Sequence, residues 1–109
     1  MDENQKYKVL VSSKARDMLF EHATFLAQAS MNAAFELFDQ FEERVASLEL
    51  MPERCPLYEN PYIHNRMYRK LALNNYLLIL FQVRGYIVNI ELVVDARAEN
   101  QNLANHASS

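Results

Sequence analysis

The chain has 109 residues, half of them hydrophobic, with 14 acidic and 11 basic side chains and a formal net charge of −3. That length supports one core but not two, and the apolar content argues against disorder. The acidic balance makes nonspecific nucleic-acid binding over the whole surface an unexpected role, although a local basic patch stays possible.

No apolar run approaches the roughly 18 residues of a membrane helix. The opening stretch MDENQKYKV is polar and acid-bearing, which is not the pattern of a signal peptide. Cys55 stands alone, and His22, His64 and His106 are scattered, so neither an internal disulfide nor a metal site is expected. Gly85 is the single glycine, which excludes a glycine-rich phosphate loop. The expectation is one cytoplasmic domain over residues 1–109, without cofactor or metal, carrying a polar tail from about residue 96.

In chain order, Tyr7 to Val11 alternates and is rich in β-formers, which predicts a short strand with Tyr7, Val9 and Val11 on one face. Ser12 or Ser13 then caps a helix over about Lys14 to Gln28. Its expected apolar stripe is Ala15, Met18, Leu19, His22, Phe25, Leu26 and Ala29. His22 reads as a boundary histidine with a local hydrogen bond rather than a catalytic one. Ser30 or Asn32 caps a second helix over about Ala33 to Leu50, with Ala34, Leu37, Phe38, Phe41, Val45 and Leu48 inward. Glu36, Asp39, Glu42 and Glu43 form its solvated acidic side. A short link between two such helices predicts an antiparallel hairpin.

Pro52, Pro56 and Pro61 mark the following segment as a loop, in which Cys55 reads as incidental. From Asn60 through Ile90 there is no Asp or Glu, so the sheet region is locally positive. Residues Arg66 to Asp95 predict a three-stranded antiparallel meander with two-residue turns at Asn74-Asn75 and Arg84-Gly85. Those turns would pair Leu71 with Leu78 and Arg69 with Leu80. They would place Tyr68, Ala72, Leu77, Ile79, Phe81, Val83, Tyr86, Val88, Ile90, Leu92 and Val94 against the helices. Arg69, Leu71, Leu73, Tyr76, Leu78, Leu80, Glu91 and Val93 would fall on the opposite face, with Lys70 snorkelling from the edge strand of the helix-facing side. So apolar a second face marks a partner site, or one covered by the tail or by a second copy.

The order strand, two helices, loop, meander, tail comes with three local signatures: YKVLVSSKARDML, LELMPERCPLY and MYRKLALNNYLLILFQVRGYIVNIELVVDAR. Together they resemble the RelE/ParE superfamily of toxins from bacterial type II toxin–antitoxin modules, from about Tyr7 to Asn100. The resemblance implies an α+β fold of order β-α-α-β-β-β, an antiparallel sheet on a two-helix hairpin. It implies a growth inhibitor of the plasmid-stabilisation type, neutralised by a cognate antitoxin. ParE-like members act on DNA gyrase, whereas RelE-like members are ribosome-dependent mRNA endoribonucleases.

By position, Arg69 and Lys70 match the basic residues of the first meander strand and Arg97 the arginine after the last strand. The ribonuclease pattern departs in two places. The central strand reads YLLILF where an arginine is common, and the tail holds Leu103 where a tyrosine or histidine is expected, with His106 three residues on. As an enzyme the chain would have Arg69, Arg97 and Tyr76 to carry charge and proton transfer, with Glu91 as a further proton carrier. The expectation is therefore a ParE-like toxin with Leu71, Leu73, Leu78, Leu80 and Val93 binding the antitoxin. The alternatives are a RelE-like ribonuclease and a non-toxic binding module or homodimer of the same fold.

Overall fold

The computed structural model describes residues 5–59 and 67–97. The tail from residue 98 onward, with Leu103 and His106, and the segment 60–66, with Pro61 and His64, lie outside the described residues.

Strand β1 spans Lys8–Val11, helix α1 Ser13–Ala27 and helix α2 Met31–Ser47. Strands β2 (Arg69–Ala72), β3 (Leu77–Arg84) and β4 (Ile87–Asp95) follow. Ser12 and Ser30 are the helix caps, their hydroxyls accepting from the amides of Ala15 at 3.0 Å and Ala33 at 3.1 Å. The sheet order is β1-β4-β3-β2. The meander is antiparallel as expected, and β1 joins β4 in parallel, so the four-stranded sheet is mixed.

Helix α2 ends at Ser47, with Leu48 as its right-handed C-cap, and the chain reaches a left-handed Met51, φ 49°, three residues on. A single 3-10 turn at Pro52–Arg54 follows. The Arg54 guanidinium turns back over that helix end, donating to the carbonyls of Leu50 (3.1 Å) and Met51 (3.2 Å) and to the Ser47 hydroxyl (3.3 Å). It thereby ties the segment after α2 to the helix end, where it also reaches the terminal Ser47 carbonyl at 3.5 Å.

Two features of the meander differ from the sequence expectation. In the first hairpin Arg69 pairs with Phe81, Lys70 with Leu80, Leu71 with Ile79 and Ala72 with Leu78. The turn holds three residues, because the Asn74 carboxamide oxygen accepts the amides of Tyr76 (2.9 Å) and Leu77 (2.8 Å) while the Leu73 amide donates to the Leu77 carbonyl. One extra turn residue shifts the register by one and moves every side chain of β2 to the other face. Leu71 and Leu73 therefore pack into the helix-facing core, and Leu73 is fully buried there. Tyr68, Lys70 and Ala72 move to the far face.

In the second hairpin the two-residue turn is Gly85-Tyr86, with Arg84 paired to Ile87 and Gly85 at φ 58°. Tyr86 is consequently exposed instead of buried. A bulge between Leu80 and Phe81 makes Glu91 the extra residue of β4, since Phe81 pairs with Ile90 and Leu80 with Leu92. Beyond it the alternation inverts. Val93 enters the helix-facing core, while Leu92 and Val94 pass to the other face.

The main core joins Ala15, Leu19 and Ala23 of α1, Ala34, Leu37 and Phe41 of α2, and Ile79, Phe81, Val88, Ile90 and Val93 of the sheet. A second, smaller cluster of Tyr68, Leu80 and Val94, with Tyr58, Leu78, Leu92 and Met18 against it, occupies the far face. The loop after α2 builds this cluster by running along β2. The Tyr58 amide donates to the Tyr68 carbonyl at 2.7 Å and the Lys70 amide to the Pro56 carbonyl at 3.0 Å. The far face is thus partly covered by the chain itself. Phe25, expected in the α1 stripe, is 72% exposed because the helix lies along the edge of β4 and turns that flank outward.

The register makes a sharp stability prediction. Leu73→Ala should destabilise the chain by about 2–4 kcal/mol, the range for emptying a buried leucine site. Leu10→Ala, at an exposed position, should cost under about 1 kcal/mol. Urea denaturation with equal slopes would read the difference, and near-equal costs would reject the three-residue turn.

Candidate functional site

The candidate site residues separate into three environments. Arg69 projects from β2 toward the loop after α2, where its guanidinium donates to the carbonyl of Cys55 at 2.7 Å and of Glu53 at 3.3 Å. Tyr76 sits in the first meander turn. Arg97, just past β4, stacks on its ring at 4.1 Å from the centroid and pairs with Asp95 at 3.2 Å. The Asp95 hydrogen bond raises the Arg97 pKa above the ordinary guanidinium value. The Ala96 amide donates to the Tyr76 carbonyl, tying the two segments together.

Tyr76 and Arg97 are therefore brought into contact, and Arg69 is not. Arg69 pairs with Phe81 while Tyr76 precedes Leu77, and at about 3.3 Å per residue these partners lie about 13 Å apart along β3. Cleavage of RNA by its 2′-hydroxyl, which attacks the adjacent phosphorus and displaces the 5′-oxygen, needs base, acid and cation at one phosphorus. The arrangement holds Arg69 against loop carbonyls at one end of β3 and the tyrosine–arginine pair at the other. Glu91, at the bulge, lies near the Tyr68 hydroxyl at 3.4 Å. His22 Nε2 lies 3.3 Å from the Val93 carbonyl, in keeping with a structural hydrogen bond.

The five leucine and valine positions expected at a partner site are not an open surface. Leu73, Leu80 and Val93 are fully buried, and Leu71 and Leu78 are half-buried. The register shift, the bulge and the proline-bearing loop together close that face.

Accessible apolar surface lies on the helices instead. A groove of about 410 Å³ runs between α1, α2 and the end of β1. Its walls are Val11, Leu19, Phe20, Phe38, Phe41 and Val45, and Arg16, Glu42 and Glu49 stand at its rim. Phe20 meets Phe38 edge-on at 5.3 Å between centroids. Phe20, Phe35 and Met31 are 60%, 58% and 56% exposed. Sequence reasoning missed this groove. The signal was present in Met31 and Phe35, which continue the helical spacing of Phe38 (i, i+4, i+7) toward the helix start and give α2 a wider apolar arc than one contact needs. The groove adjoins the outer edge of β1. With Lys8 and Leu10 bonding toward β4, the backbone groups of Val9 and Val11 point outward.

A second depression, of about 520 Å³, lies between the loop after α2 and β2, lined by Arg54, Cys55, Pro56, Lys70, Leu71, Ala72 and Leu78. Burial pushes the Cys55 thiol pKa up, and the nearby Arg54 and Arg69 charges only partly oppose this. Among the described residues no cluster of His, Cys, Asp or Glu could hold a metal, and no helix is long and apolar enough to cross a membrane.

No family model and no curated protein matches the sequence. A structural likeness does exist. A chain from the chromosomal ParDE TA system of P. aeruginosa superposes with a TM-score of 0.66 at 15% sequence identity, over 84% of this chain and 98% of that one. Two helices and a four-stranded mixed sheet in the order β-α-α-β-β-β are thus a ParE-like fold, as the resemblance implied.

The raised thiol pKa has a definite sign. A folded-state pKa above the unfolded value means the unfolded chain loses its proton first. Stability should then fall as pH rises past the ordinary thiol value of about 8.5. Urea titrations from neutral to alkaline pH should show a decline that Cys55→Ala reduces. Identical pH slopes in both chains would refute it.

Proposed function

We propose that this chain is the toxin half of a two-protein toxin–antitoxin module, a ParE-like growth inhibitor neutralised by a partner protein. The observation that carries the reading is the likeness in fold to the ParDE chain over nearly the whole of that chain's length. The separation of Arg69 from the Tyr76–Arg97 pair favours inhibition by binding, with gyrase as the target class, over RelE-like cleavage of mRNA.

The antitoxin is proposed to occupy the helical groove. Its apolar walls and exposed Phe20, Phe35 and Met31 suit the apolar side of an amphipathic helix. The outward backbone groups of β1 suit an adjoining extended segment. Burial of Leu73, Leu80 and Val93 supports the helical groove over the sheet face as the main docking surface.

Induced expression of the chain should arrest growth, and co-expression of the small gene adjacent to it should restore growth. Phe35→Glu, on an exposed position, should leave arrest intact and weaken rescue. Unimpaired growth on induction would sink the toxin reading. Primer extension during arrest should find transcripts intact, and discrete codon-phased cuts would replace the gyrase reading with the ribonuclease.

A further inference from the structure

Four of the chain's eleven basic side chains converge where β2 meets the loop after α2. Arg54 and Lys70 line the depression there. The Arg44 guanidinium reaches its edge from α2, donating to the Ala72 carbonyl at 3.0 Å. Arg69 lies beneath, against the Cys55 carbonyl. Most of these groups are satisfied without being neutralised. Arg54 and Arg69 donate to backbone carbonyls and a hydroxyl, which carry no net charge. Among the described residues the only carboxylate paired within this group is Glu43, on Arg44 at 3.4 Å and at an exposed position. The nearby Glu53 carboxylate accepts from the uncharged Tyr7 hydroxyl, so it keeps its charge and offsets one cation, which leaves the group with a positive excess. A positive field therefore stands over this cleft on a chain whose net charge is −3.

The floor of the cleft is aliphatic, made of Pro56, Ala72 and Leu78, while Leu71 lines it from the helix-facing side of β2. Among the described residues its lining holds no aromatic platform on which bases could stack. The outer edge of β2 is also occupied, with the Lys70 amide on the Pro56 carbonyl and the Ala72 carbonyl taken by Arg44. A ligand cannot add there as another strand and must be held through its side chains. An aliphatic floor under a cationic rim matches an apolar side chain flanked by carboxylates.

We infer that this cleft between the post-α2 loop and β2 binds an acidic, leucine-type peptide segment of a protein partner, its carboxylates on Lys70 and Arg54 and its aliphatic side chain on Ala72 and Leu78. The inference rests on the two-protein reading for the partner's identity, and it names the chemistry of a segment distinct from the one in the helical groove. Lys70 is the discriminating position, because Arg54 also holds the end of α2 and its loss would alter folding.

The test uses the full chain and synthetic peptides of the patterns ELELEL, QLQLQL and KLKLKL, with a 12-residue oligothymidylate as the nucleic-acid probe, titrated by fluorescence anisotropy. The acidic peptide should bind about tenfold or more tightly than the neutral one, and the basic one weakest. Its affinity should fall between about 50 and 300 mM salt, as for partly exposed charges. Lys70→Glu should lose about tenfold or more for ELELEL, and Lys70→Gln an intermediate amount. Unchanged urea midpoints in both variants would exclude misfolding as the cause. Equal binding of ELELEL and QLQLQL, indifference to Lys70→Glu, or tighter binding of the oligonucleotide would overturn the inference. Since these titrations require no growth arrest, failure here leaves the toxin reading standing, and unimpaired growth on induction leaves this result standing.

Discussion

The carboxamide oxygen of Asn74 accepts the backbone amides of Tyr76 and Leu77, and those two bonds settle which side of the sheet each residue of β2 occupies. A strand has a side-chain period of two, so there is no intermediate register. With three turn residues, Leu71 and Leu73 complete the core under α1 and α2, and Lys70 faces away from the helices. A two-residue turn would put Lys70 against that core and strip it of both leucines. The burial of a charge and the loss of two aliphatic contacts both oppose that outcome, so the turn and the core select the same register.

The bulge at Glu91 does for β4 what the turn does for β2. Above it, Val88 and Ile90 face the helices; below it, Val93 does. The inversion releases Leu92 and Val94 to join Leu80 and Tyr68 on the far side, where the post-α2 loop and Tyr58 meet them. It also lets α1 run beside the end of β4 that β1 leaves unpaired, with the Ser12 hydroxyl donating to the Glu91 carbonyl and His22 near the Val93 carbonyl. A single extra residue thus links a sheet irregularity to the position of a helix.

The elements and most of the core were legible in the sequence because they rest on periodicity over many residues. The Ser12 and Ser30 caps, the α2 stripe and the inward set Ile79, Phe81, Val88 and Ile90 all follow from it. Turn length and bulge position rest on single residues, and no pattern averages over them. Asn74-Asn75 suits a two-residue turn by propensity, yet the same asparagine can instead bridge a longer one. Glu91 lies in an otherwise regular strand, and only pairing reveals it as the extra residue. From those two local choices came the displacement of Leu71, Leu73, Val93, Leu92 and Val94, and with it the mistaken open face. The helical groove was hidden for another reason: the stripe of α2 was read as one contact when its apolar arc is wide enough for two.

The use of arginine explains how one small acidic chain presents two chemically different surfaces. Arg44, Arg54 and Arg69 each donate to main-chain oxygens, closing the edge of β2, the end of α2 and the post-α2 loop. A lysine could not span several carbonyls with one planar group, whereas a guanidinium carries five donors. Because a carbonyl accepts a hydrogen bond without cancelling a charge, the groups that fasten the loop also leave it positive. Neutralisation by carboxylates would have fastened the loop equally well and erased the field. The helical groove, with one arginine, Arg16, against Glu42 and Glu49 at its rim, has no positive excess and discriminates mainly by shape and apolar area. The two surfaces therefore demand different things of whatever binds them, and a partner that met only one demand would leave the other unsatisfied.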